Sequence, residues 1–146
     1  MKHRVGVFHG VNFDVLERRD PAIYGGFSLP HLEVQIQRFA RELGIETSFT
    51  QTNHEGEFCE GLAKTSEAVD GLVVNAGAWT HYSYAIRDAL ELSGVPAVEV
   101  HLSAVSQRED FRRTSVIRDL CIGQVEGKGV DGYREALELL KGRFAK

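Results

Sequence analysis

Glu99 and His101 stand two apart in the run AVEVHL at 97–102, and on an extended strand that spacing sends both side chains to one face. A carboxylate so placed can hold the imidazole's tautomer and favour its protonated form, which makes His101 a candidate general acid. A structurally satisfied His–Glu pair is the plainer account of the same residues. An acid calls for an opposing base, and Tyr24 with Arg19 can supply one. A phenol titrates at about 10 and is a poor base near neutrality, but a desolvated cation within a few ångström favours phenolate, and arginine stays protonated. Taken singly, both are ordinary surface residues.

Other groups gather around this pair. GLVVNAGAWTH at 71–81 begins as a continuous apolar run and stops at Asn75; Ala76, Gly77 and Ala78 leave room for a ligand, and Asn75, Thr80 and His81 offer hydrogen-bonding groups. His9 and Asn12 follow the first strand-like run, and Asn53, His54 and Glu55 the second. QREDFRR at 107–113 supplies three arginines, one of which can clamp a substrate carboxylate as guanidinium does bidentately. The bland account is a solvated helix face.

These groups need a scaffold, and the hydrophobic pattern provides it. Strands are expected at 4–8, 45–51, 71–75, 97–102 and 120–125, with the alternation of IETSFTQ suggesting an edge. Ser28 caps a helix with Pro30 in its first turn and Leu32, Ile36, Phe39, Ala40 and Leu43 at helical spacing. Further helices are expected at 55–69 and 82–93, and a last one through Tyr133, Ala136, Leu137, Leu140 and Phe144. Strands alternating with helices imply an α/β doubly wound parallel sheet, in the five-stranded flavodoxin-like order 2-1-3-4-5. In that order ligands bind beyond the carboxyl ends of the strands, where the polar groups lie. Residues 10–28 lack periodicity and carry Arg18-Arg19-Asp20-Pro21 and Tyr24-Gly25-Gly26, so a long loop acting as a lid is expected.

The 146 residues, 42% of them hydrophobic, suit one domain, 1–146. Two widely spaced cysteines, Cys59 and Cys121, argue against a disulfide framework, and with no signal-peptide pattern a cytoplasmic protein is expected. The formal net charge of −4 with interspersed signs disfavours nucleic acid. No glycine-rich run ends in Gly-Lys-Ser/Thr, and no Gly-x-Gly-x-x-Gly follows the first strand. The segment HGVNFDVLE is too bulky and acidic for a flavin phosphate, and Asn75 stands where a phosphoacceptor domain has an aspartate, leaving Lys128 a loop lysine. A metal site from His9, His54, His81 and His101 with Glu55 or Glu99 has no ligand spacing to support it, so metal-free acid–base chemistry is preferred.

The residues that carry this chemistry also carry a resemblance. RRDPAIYGG at 18–26, QTNHEGE at 51–57, NAGAWTH at 75–81, AIRDAL at 85–90, EVHLS at 99–103 and REDFRRTSV at 108–116 make the chain resemble the type II 3-dehydroquinate dehydratases from Val5 to about Leu140. The resemblance implies a cofactor-free lyase that converts 3-dehydroquinate to 3-dehydroshikimate by anti elimination through an enolate. It matches Tyr24 to the base that removes the C2 proton, Arg19 to its activator and His101 to the acid for the C1 hydroxyl. It matches Asn12 to the residue holding a water on the enolate, and Glu99 to the histidine's partner. Asn75, His81 and Arg112 match substrate-binding positions, Leu102 and Ser103 offer amides to the carboxylate, and Asp88 reaches a neighbouring subunit's site. The family assembles as trimers grouped into homododecamers.

The chain also departs from that pattern. His9-Gly10-Val11-Asn12-Phe13-Asp14 replaces Asn-Gly-Pro-Asn-Leu-Asn, Glu17 takes a usual glycine, Ala76 a proline and Ala104 an asparagine. Lost prolines loosen the backbone presenting Asn12 and Asn75, which bears on rate or substrate. A divergent paralogue acting on a related cyclic hydroxy acid, and a non-catalytic binding protein, are the rivals. Retention of Arg19, Tyr24, Glu99 and His101 together speaks against the second.

Overall fold

The computed structural model describes residues 2–146 and contains a five-stranded, wholly parallel sheet in the order β2-β1-β3-β4-β5. Its strands are β1 (His3–His9), β2 (Ile45–Gln51), β3 (Gly71–Asn75), β4 (Ala97–Val100) and β5 (Gly123–Val125). The helices are α1 (Pro21–Tyr24), α2 (Leu29–Glu42), α3 (Glu55–Ser66), α4 (Tyr84–Ser93) and α5 (Asp131–Phe144). This is the flavodoxin-like arrangement expected from the sequence.

Strand side chains alternate between two cores. Val5, Val7, Val73, Val98 and Val100 meet Leu32, Ile36 and Phe39 of α2 and Tyr133, Leu137 and Leu140 of α5. Phe8, Leu72, Val74 and Ala97 meet Phe58 and Leu62 of α3 and Ile86 and Leu90 of α4. Burying a leucine or isoleucine from water contributes about 1.5–3 kcal/mol, so each of these contacts holds a helix to its sheet face. β2 lies at the edge, as its alternation suggested.

The strand ends converge because β1 and β3 are neighbours. Gly10 N–H donates to the Asn75 carbonyl at 2.7 Å, and a Cβ on Gly10 would fall 2.2 Å from the Ala76 carbonyl oxygen. Only glycine permits that approach.

Several boundaries differ from expectation. Residues 10–28 are not a featureless loop: Phe13–Arg18 forms a 3₁₀ helix, and Asp20 caps α1 by accepting from Ala22 N–H at 3.0 Å. Phe13 and Leu16 are buried in the core beneath. Helices of one turn produce no periodicity to read, whereas the Asp-Pro start and Gly25 at φ 94° are their legible stops. β4 ends at Val100, and β5 begins only at Gly123, after Arg118–Leu120 closes a 3₁₀ turn through Leu120 N–H to the Ile117 carbonyl. α3 stops at Ser66, and α4 starts only at Tyr84, where Ser83 Oγ accepts from Ile86 N–H at 3.1 Å.

Candidate active site

A pocket opens beyond the carboxyl ends of β1, β3 and β4, walled by the 3₁₀ helix and α1. Asn12, Arg19, Tyr24, Asn75, His81, His101, Leu102, Ser103 and Arg112 all line it. Glu99 lies behind His101, fully buried. Asp88 is exposed on α4 and does not line this pocket. The void the pocket leaves is about 40 Å³, room for a few waters. A larger groove of about 430 Å³ between β2 and α3 pairs Arg4, Glu46 and Lys64 with no acid–base couple.

On the β4 side, His101 Nε2 lies 2.5 Å from Glu99 Oε2. Burial opposes ionisation of Glu99, but the hydrogen bonds of His101 and Ser115 and the charges of His101 and Arg118 outweigh it and hold the carboxyl below the ordinary range. An ionised Glu99 only accepts, so His101 Nε2 carries a proton and Nδ1 is the atom left for other partners. His81 stacks on His101 with ring centroids 6.4 Å apart, and its Nδ1 donates to the Thr114 carbonyl at 2.7 Å. Burial pushes the His81 imidazole down, so it is neutral near pH 7 and its Nε2 is an acceptor.

On the opposite side Tyr24 is half-buried, and its hydroxyl accepts from Arg108 Nη1 at 2.5 Å. The Arg19 and Arg108 guanidinium carbons each lie 5.3 Å from the Tyr24 ring centroid. Sequence reasoning missed Arg108 as the phenol's partner, having assigned the 107–113 arginines to a carboxylate clamp. Nothing in its spacing from Tyr24 signals the contact. Arg108 also reaches Ser103 Oγ at 3.3 Å, while Arg112 Nε is engaged by Glu109 Oε2 at 2.6 Å.

The floor is fixed by amides. Asn75 Oδ1 accepts from Gly77 N–H at 3.2 Å and Nδ2 donates to Tyr133 Oη at 3.2 Å, which leaves one N–H to face the pocket. Burial pushes the Tyr133 phenol far up, so it remains neutral. Asn12 adopts φ 69°, ψ 9°, and its N–H donates to Asn53 Oδ1 at 2.7 Å. Asn53 is held in turn by Gln51 Nε2 at 3.2 Å and donates to both Asp14 carboxylate oxygens.

The departures noted in the sequence fit this framework. Ala76 sits at φ −76°, the value a proline ring imposes, so the backbone after Asn75 keeps that conformation without the ring. His9 is fully buried between Phe13 and Phe49, its Nε2 3.1 Å from Glu33 Oε2 but not aligned for a hydrogen bond. Among the described residues no three His, Cys, Asp or Glu side chains converge as metal ligands.

Fold and pocket together define an α/β enzyme with a carboxylate-backed imidazole facing a guanidinium-flanked phenol. The chain belongs to the class II dehydroquinase family, whose model matches residues 3–141. It is 49% identical over 138 residues to a 3-dehydroquinate dehydratase of Thermotoga maritima, covering 94% of each chain. Type II dehydroquinase structures from Butyrivibrio crossotus (39% identity, 95% and 97% coverage) and Propionibacterium acnes (34% identity, 97% and 98% coverage) superpose with TM-scores of 0.91 and 0.92.

Proposed function

We propose that the chain is a lyase acting on 3-dehydroquinate, the substrate in its curated relatives' names, and yielding 3-dehydroshikimate and water. The observation that carries the reading is that the Tyr24–Arg108 and His101–Glu99 pairs meet at one pocket. Tyr24, as phenolate flanked by Arg19 and Arg108, takes the C2 proton, and the electron pair moves into an enolate at C3. A water held by Asn12 donates to that oxygen. The enolate then collapses to the C1–C2 double bond as the C1 hydroxyl leaves with a proton from His101, regenerating the ketone. Anti elimination requires base and acid to act on opposite faces of the ring, and Tyr24 and His101 reach the pocket from different elements, α1 and the end of β4. Asn75 and neutral His81 bind ring hydroxyls, and Arg112 with the Leu102 and Ser103 amides holds the carboxylate. No step draws on a cofactor.

On α4, Asp88 sits between exposed Tyr84 and Leu92 at four-residue spacing, so one helix face carries an uncovered apolar strip around the acid. That strip supports self-association, and the family resemblance extends the proposal to a trimer in which Asp88 reaches the next subunit's site, with trimers grouped as a homododecamer, in the cytoplasm. No described helix is long and apolar enough to cross a membrane. Growth of enone absorbance on adding 3-dehydroquinate tests the activity, and its absence at high protein concentration refutes it. A native mass of a monomer at micromolar concentration refutes the assembly.

A further inference from the structure

We propose that Arg118, which lies outside the pocket, is a positioning residue that governs proton donation by His101 through Glu99. The inference rests on His101 being the acid of the elimination.

Glu99 has three neighbours besides its strand. Oε2 meets His101, Oε1 accepts from Ser115 Oγ at 2.7 Å, and the Arg118 guanidinium stands 3.7 Å from Oε2. The Ser115 hydroxyl has two lone pairs, and both are taken: Ile117 N–H at 3.3 Å and Arg118 N–H at 3.1 Å. Its single proton is therefore committed to Glu99. The same turn thus delivers a donor to one carboxylate oxygen and a cation to the other. Arg118 Nε is buried without a hydrogen-bond partner, a cost that an arginine free to swing into solvent would avoid.

The cation has two consequences. It favours the ionised carboxylate that fixes the His101 tautomer, and it offsets part of that carboxylate's attraction for the His101 proton, which an acid must release. Other groups facing the pair leave this role to Arg118. Cys121 is pushed up to about 12 by burial and by Glu99, so it stays a neutral thiol. Gln124, opposite Glu99 on β5, is uncharged. Asp119 is engaged by Arg87 at 2.5 and 2.9 Å and does not neutralise its neighbour. His81 is neutral, and Arg112, Arg108 and Arg19 belong to the pocket side.

The test compares Arg118→Gln and Arg118→Lys in the assembled enzyme, with the His101 ring followed by NMR against pH and kcat and KM measured across pH. In Arg118→Gln the His101 midpoint and the alkaline limb of kcat move up by about half a pH unit or more, and plateau kcat falls about threefold to tenfold with KM within about twofold. Arg118→Lys keeps the charge and stays near wild type. An unmoved His101 midpoint in Arg118→Gln overturns the proposal, as does equal failure of both variants with an altered assembly mass. Should the wild type not turn over 3-dehydroquinate, the enzyme reading fails on its own, and the NMR midpoint still decides the coupling.

Discussion

Arg108 donates to the Tyr24 hydroxyl at 2.5 Å from 84 positions away in the chain. A cation in direct contact favours the phenolate more than one stacked over the ring, since the charge on oxygen is what must be stabilised. Arg108 is therefore expected to ready the proposed base more than Arg19 does. Tyr24→Phe lowers kcat by about a hundredfold or more, the scale of a positioned proton-transfer group, while substrate still binds. Arg108→Ala and Arg19→Ala lower kcat near neutrality, Arg108→Ala the more, and both recover partly at alkaline pH as phenolate forms unaided. His101→Ala shows no alkaline recovery, because it lacks the acid for the leaving hydroxyl. Steady-state pH profiles check all four, and one shared profile for the arginine and histidine variants contradicts the division of roles.

Chelation is expected to leave turnover intact. The proposed base is a phenolate and the enolate is held by hydrogen bonds, and the described residues offer no convergent ligand set. Activity lost in EDTA and restored by zinc contradicts this.

Glu99 links the site to acid stability. Its folded carboxyl titrates below the ordinary range, whereas in the unfolded chain it titrates at about 4.3. The resulting stability is fully present above that value and is lost as pH falls through the lower folded value. Thermal melts should show stability dropping on acidification below about pH 4, and Glu99→Gln should flatten that part of the curve. An unchanged acid slope in Glu99→Gln means that other carboxylates dominate it.

The sheet order was legible because β1, β3 and β4 carry short apolar runs, the alternation of β2 marks an edge, and period-3.6 patterns mark α2 and α5. The Glu99–His101 pairing was legible too, since contact at two-residue spacing on a strand is a local matter. Arg108 reaching Tyr24 and Asn53 gripping Asn12 were not, because each joins loops that follow different strands, nor was Ser115 committing its proton to Glu99, because an irregular connection brings it back onto β4. The 13–24 helices were hidden for another reason: they are too short to repeat, and Phe13 and Leu16 are buried by tertiary packing alone.

Asn12 is the sole non-glycine residue at positive φ among the described residues, and it faces the pocket. Left-handed backbone strains most side chains but not glycine, and asparagine is tolerated there. Asn12→Gly keeps the N–H that donates to Asn53 and removes only the side chain proposed to hold the enolate's water. Relief of strain and the greater entropy of an unfolded glycine oppose each other, so urea stability should stay within about 1 kcal/mol. Turnover should nevertheless fall about tenfold to a hundredfold, the scale on which a lost oxyanion donor acts. Asn53→Ala works from outside the pocket: it deprives a backbone N–H of its acceptor and frees Gln51 and Asp14, so it should cost about 1 kcal/mol of stability and also lower kcat. If Asn12→Gly turns over normally, Asn12 is a turn residue and the enolate is held elsewhere. If Asn53→Ala loses stability but keeps kcat, the grip on Asn12 serves the fold and not the reaction.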